Sequence, residues 1–189
     1  MHRLLQLLRQ TPWLSDIRQA EEGGKTPCSV FGVCENARAQ LIAAAYRGGT
    51  ALVVTHQDTQ AGQLMGQLAA LLPQTPVLRL APRDFVSGAD AASLEMLWRR
   101  APVLETLRNG TPCIVVCSVE ALQYHMLEPE TWQAQCIALH TGDVTEPDAL
   151  CLQLAQAGYT RVDPVEGAGQ FARRGGIVDV FALGREDAY

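Results

Sequence analysis

Short apolar runs alternate with longer stretches of helical periodicity over the first two-thirds of the chain. Residues 29–33 read as a short buried strand, and residues 37–46 as an alanine-rich helix ended by Gly48 and Gly49. Residues 51–55 are a second apolar run. Asp58 or Thr59 can then cap a helix that carries Leu64, Leu68, Leu71 and Leu72 along one side, up to Pro73. Residues 77–80 make a third short strand. A long helical stretch over residues 89–108 contains Pro102, which is expected to kink or split it, and Asn109-Gly110 closes it. Residues 114–117 form a fourth strand, and Ser118 caps a helix over 119–126. Apolar strands separated by helices and short loops predict an α/β domain whose parallel sheet is covered on both faces.

The pattern changes after Glu128-Pro129-Glu130. Residues 135–140 read as a strand and residues 145–157 as an amphipathic helix with Leu150, Leu152 and Leu154, stopped by Gly158. Two strands follow in direct succession, around 159–163 and 177–181, which favours antiparallel pairing. The prediction is therefore an α/β domain over residues 1–127 and a small α+β domain over residues 128–189. The second is too small to be robust without support from the first.

Composition narrows the chemistry. Of 189 residues, 48% are hydrophobic, and no apolar run reaches the ~20 residues of a membrane span. The amphipathic N-terminus lacks the uninterrupted apolar stretch of a signal peptide, so a cytoplasmic location is expected. Fifteen basic against twenty acidic residues give a net charge of −5, and Lys25 is the only lysine. Gripping a phosphate backbone calls for a clustered basic face, so direct DNA binding is disfavoured. Cys113 and Cys117 share a strand face at roughly 13 Å, too far for a disulfide or a shared metal. With Cys28, Cys34, Cys136 and Cys151 they are expected to be buried, reduced thiols, and no metal site is expected.

A strand, a glycine turn and a helix are where an α/β protein holds phosphate. Here the turn starts at Gly32, and it departs from the P-loop pattern at every later position. Ala37 stands where a second glycine lets backbone amides wrap the phosphates. Arg38 replaces a lysine point charge with a wide planar cation. Ala39 replaces a hydroxyl that would ligate magnesium, and Glu35 adds a negative charge. The expectation is a degenerate loop with no nucleotide cofactor. His56 follows a strand and lies near Asp58, but no serine or cysteine nucleophile accompanies them. His2, His125 and His140 have no partner signal, and Asp143 and Glu146 suit a helix start. No enzyme is expected.

The least generic segment is residues 158–181. Along residues 177–181, Val178 and Val180 share one face, with Ile177, Asp179 and Phe181 on the other. Gly175-Gly176 suggests a bulge or tight bend before this strand. Arg161, Arg173 and Arg174 are expected to converge on a two-stranded surface. That surface is either a solvated face balanced by Asp163, Glu166 and Asp179, or a partner-binding face. Arginine suits the second role because its planar fork can engage a carboxylate bidentately.

Residues 158–181 resemble the amino-terminal region of the bacterial transcription-repair coupling factors (the Mfd family), which is itself similar to the excision-repair protein UvrB. The degenerate loop, Val53-Val54-Thr55 and Pro82-Arg83-Asp84-Phe85 are also similar, so the resemblance covers nearly the whole chain. It implies a degenerate P-loop-type domain like UvrB domain 1a, then a small domain like UvrB domain 2 that docks onto UvrA. Arg174, just before the glycine of the Arg-Gly-Gly motif, takes the position of a UvrA-contacting arginine. Arg161 matches a UvrA-contacting arginine of UvrB at a position where the coupling factors vary. Phe171 occupies the family's aromatic position, equally suited to packing and to contact, and Arg173 lies beside them. The resemblance implies a non-enzymatic module that recruits UvrA in transcription-coupled nucleotide excision repair, with the other domains of a longer protein as further partners. A nucleotide-dependent UvrB-like repair-enzyme fragment and an autoinhibitory module of a full-length translocase remain open. The family's second domain continues with another aromatic-rich strand beyond the position of Tyr189, so the small domain is expected to be truncated. Translocation and ATP hydrolysis belong to motor domains that these residues do not include.

Overall fold

The computed structural model describes residues 2–82, 90–123, 126 and 128–182. Residues 83–85 of the family-like segment, His125, and Leu127 at the expected domain boundary lie outside these. The chain forms two compact units, Met1–Pro82 with Glu105–Gln123, and Arg83–Leu104 with Tyr124–Tyr189.

The first unit opens with α1 (His2–Arg9) and α2 (Pro12–Glu22). Pro12 sits at the start of α2, where its fixed φ suits the helix and its missing N–H costs nothing. A 3-10 turn, Glu35–Ala37, leads into α3 (Arg38–Ala45), followed by β1 (Thr50–Thr55), α4 (Asp58–Leu71) and β2 (Val77–Leu80). Helix α5 (Asp90–Arg108) continues through Pro102 as one helix and contributes residues to both units. β3 (Cys113–Ser118) and α6 (Val119–Leu122) complete the first unit. Ser118 caps α6 as expected, its Oγ accepting from the Ala121 amide at 3.3 Å, but α6 ends at Leu122 rather than running to 126.

The three strands are all parallel in the order β1-β3-β2. β3 is central, bonded on both sides and buried along its whole length. That explains its unbroken apolar run, since a strand covered on both faces has no solvent side to mark with polar residues. Ile114 and Val116 meet Leu5, Leu14, Ala39, Ala43, Ala44, Ala61, Leu68 and Leu71 from α1 to α4. The small alanines of α3 let it approach closely. The expectation of two covered faces holds for β3 but not for β1, whose Leu52 and Val54 are 56% and 46% exposed on the face opposite those helices.

Further expectations are corrected. Residues 29–33 form no strand: Gly32 adopts φ +78°, outside the extended region, and breaks the run. Phe31 is left 89% exposed. Asp58 does not cap α4 with its side chain; it is the first helical residue, and its carboxylate takes the Nε and Nη2 donors of Arg79, tying α4 to β2. The cysteines divide: Cys113 and Cys117 are buried, whereas Cys28, Cys34 and Cys136 are exposed and Cys151 is half-buried.

The second unit carries α7 (Pro129–Gln135), α8 (Pro147–Gln156), and the strands β4 (Thr160–Arg161), β5 (Gln170–Arg174) and β6 (Ile177–Phe181). The strand expected at 135–140 is absent. Pro129 at the first helical position and Glu130 in the first turn favour α7 there, and the chain from 136 to 140 is irregular. Asp143 accepts from the His140 amide at 2.8 Å instead of serving α8. Leu150 and Leu154 of α8 are buried with Phe171, against Tyr159, Val178 and Val180, while Leu152 faces outward. Gly158, at φ +88°, follows the helix end, and its amide donates to the Ala155 carbonyl at 3.1 Å.

Strand order is β4-β5-β6. β5 and β6 form the antiparallel hairpin, but β4 pairs with β5 in parallel, correcting the expected direct antiparallel pairing. Residues 170–174 are a strand of their own. Their alternation is hard to read because two arginines end it. The Gln170 side-chain oxygen accepts from the amides of Glu166 and Gly167 at 2.8 and 3.0 Å, pinning the loop that returns the chain to β5.

Candidate functional site

Two segments hold the candidate residues, one in each unit. In the first, Gly32 leads through Cys34 into the 3-10 turn. The Ala37 amide donates back to the Cys34 carbonyl at 3.0 Å, so this N–H is consumed within the turn. Ala37 has φ −96° and ψ −6°, and Arg38 begins α3 with its side chain exposed. Ala39 is 1% exposed and part of the core beneath α3. The position where a P-loop offers a hydroxyl to magnesium therefore faces apolar side chains. His56 is exposed beyond β1, and Asp58 is occupied by Arg79. Among the described residues no group of three or more His, Cys, Asp or Glu side chains is placed to hold a metal ion.

In the second unit, Arg174 pairs with Ile177 across the hairpin, and Gly175-Gly176 make the two-residue turn. Gly175 has φ +63°, which a tight hairpin requires at its first turn position and glycine supplies without strain. The bend expected before residue 177 is thus the turn itself. Alternation along β5 sends Arg173 and Arg174 to opposite faces. Arg173, aligned with Phe171, Val178 and Val180, lies on the face that packs under α8. Its Nη1 donates to Asp148 of α8 and its Nε to the Gly175 carbonyl at 3.0 Å. Arg174 lies on the opposite face and is 66% exposed. Its Nε and Nη2 both donate to Oδ2 of Asp179, at 3.2 and 2.6 Å.

The three arginines do not converge. Arg161 is exposed on β4 and aligned with Phe171, so its position in the ladder is on the face opposite Arg174. Phe171 is 2% exposed, packed against Leu150 and Leu154. It supports the hairpin from below and is not offered to solvent. Of the three acidic residues expected to balance this face, Asp179 is the one that bonds Arg174; the pairing could not be read from sequence because its i+5 spacing becomes a same-face contact only once the two-residue turn is known. Hydrogen bonding to Asp179, then its charge and that of Asp163, raise the Arg174 guanidinium further above its ordinary value and keep it cationic.

Residues 137–189, which include this hairpin, match the UvrB interaction domain family. The chain is 34% identical to the transcription-repair-coupling factor of Bacillus subtilis (strain 168) over 136 residues, 71% of this chain and 12% of that protein. It is 31% identical to that of Mycobacterium tuberculosis (strain CDC 1551 / Oshkosh) over 191 aligned residues, 95% of this chain and 15% of that protein. The chain resembles the amino-terminal region of the transcription-repair coupling factors. The likeness extends to the coupling factor of Staphylococcus aureus (strain USA300), 24% identical over 95% of this chain. The chain spans 12 to 16% of the length of these coupling factors. Among the described residues no helix is long and apolar enough to cross a membrane.

Proposed function

We propose that the chain is a non-catalytic docking module of a transcription-repair coupling factor, which recruits UvrA for transcription-coupled nucleotide excision repair. The observation that carries this reading is the position of Arg174. It is exposed at the tip of a hairpin inside the segment that matches an interaction domain, on the face not covered by α8. Arg174 engages a carboxylate on the partner, while Ile177 beside it, also exposed, packs on an apolar surface. Arg161 lies on the face opposite Arg174 and takes no part in this docking surface. Arg173 and Phe171 fix the hairpin on α8.

The first unit is read as a P-loop-type domain of UvrB domain 1a kind that has lost nucleotide binding. Its loop amide is spent internally, and its magnesium position is an alanine in the core. The second unit is read as the counterpart of UvrB domain 2. The net charge of −5 fits a module that binds protein rather than DNA. Motor activity, RNA polymerase contact and the remaining domains of a full-length factor lie beyond these residues.

Calorimetric titration of the chain with UvrA tests the assignment. Arg174→Ala is expected to weaken binding about 30-fold, the loss typical of a truncated hot-spot side chain. Unchanged affinity would move the docking face away from this hairpin.

A further inference from the structure

We propose that Asp179 is a positioning residue for partner binding, holding the Arg174 guanidinium so that its outer edge is presented ready-made to a partner carboxylate. This rests on the reading of the hairpin as the docking surface. Arg174 and Asp179 sit diagonally on one sheet face, because Arg174 is aligned with Ile177 and Asp179 with Ala172. Both bonds from the guanidinium, through Nε and Nη2, end on the single oxygen Oδ2. That geometry uses the side edge of the guanidinium. The end edge, made by one N–H of Nη1 and the second N–H of Nη2, carries no partner among the described residues. A guanidinium has five N–H donors in a rigid plane, so one carboxylate on the side edge fixes where the end edge points without consuming it.

The two side chains differ in the way such a role requires. Asp179 is the more buried, with its side chain 27% exposed against 66% for Arg174. It emerges mid-strand in β6, where backbone pairing on β5 holds it. The flexible arginine at the hairpin tip is thus tethered to a rigid point. An untethered arginine would lose rotamer freedom on binding; a tethered one has lost much of it already, so the partner meets a pre-ordered fork. The partner feature this edge fits is a carboxylate approaching end-on, in the bidentate arrangement that arginine forms with Asp or Glu.

A double-mutant cycle on the full chain, read by calorimetric titration with UvrA, tests the proposal. Asp179→Ala is expected to weaken binding about 5-fold and Asp179→Asn about 3-fold, each with a melting temperature close to the parent's. In an Arg174→Ala background, neither change at 179 should weaken binding further. Arg174→Lys should not restore affinity, since an ammonium group cannot serve two carboxylates along two planar edges. If Arg174→Ala binds as well as the parent, the docking reading itself fails and takes the proposal with it. If Arg174→Ala loses affinity but the Asp179 variants bind as well as the parent or more tightly, docking stands and the positioning role is overturned. Equal losses from the Asp179 variants in both backgrounds would overturn it as well, marking Asp179 as support for the sheet alone.

Discussion

The loop at residues 32–39 and the hairpin at residues 170–181 are built from similar parts and end differently. Each has a glycine with positive φ and an arginine, six residues apart in the loop and adjacent in the hairpin, and each lies next to an apolar core. In the loop, the backbone donor turns inward to a local carbonyl, and the side chain that would meet a ligand packs beneath a helix. In the hairpin, alternation along β5 sends one arginine inward and its neighbour outward. A glycine and a cation within one short segment are therefore not a signal by themselves. What separates a structural turn from a presented group is where backbone alternation sends the side chain and what already occupies its donors.

The contrast can be tested by removing what holds each segment. Phe171→Ala empties the core beneath the hairpin and is expected to destabilise the second unit by about 3–5 kcal/mol in chemical denaturation. A loss below about 1 kcal/mol would mean that Phe171 is not the support described. On the loop side, Ala39→Thr returns the hydroxyl that a P-loop carries. Because position 39 faces the core, the change should cost about 1–3 kcal/mol of stability, with no magnesium-dependent rise in melting temperature on adding ATP. A clear rise would make the loop a dormant nucleotide site rather than a structural turn.

Smaller effects test the turn and the inward arginine. Gly175→Ala meets no neighbouring atom within 4 Å, so its cost is conformational alone, about 1–2 kcal/mol for a side chain forced to φ +63°. Arg173→Ala removes an ion pair whose carboxylate, Asp148, is largely exposed, and is expected to cost at most about 1 kcal/mol. Its UvrA affinity should stay within about 3-fold of the parent. A loss as large as that of Arg174→Ala would mean that the face under α8 also takes part in docking.

Much of the first unit was legible from the sequence, because its strands hold short apolar runs and its helices carry stop signals such as Gly48-Gly49 and Asn109-Gly110. Residues 29–33 misled because a short apolar run looks the same whether or not a neighbouring strand accepts it, and Gly32 decided against it. Residues 135–140 misled because Pro129 starts a helix whose end overlaps the apolar run. At the candidate site, the motif singles out Arg174, and the structure shows it exposed at the hairpin tip. The opposite placement of Arg173 was not legible, because it depends on residues 170–174 being a strand, and arginines hide its period. The Arg174–Asp179 contact depends in turn on the length of the turn, which fixes the register of the whole hairpin.

The central position of β3 has a kinetic consequence. Its backbone is bonded to β1 and β2 together, and both of its faces are covered, so no edge of it can peel away while the rest of the sheet stays formed. Its amides should exchange with solvent deuterium only when the entire unit opens, setting the slowest class in the chain. The Cys113 thiol, whose ionisation burial pushes up, reports the same event by another route. Its rate of modification in the native protein, measured with Cys28, Cys34, Cys136 and Cys151 already blocked and read together with that of Cys117 on the same strand, is a clock for whole-unit opening.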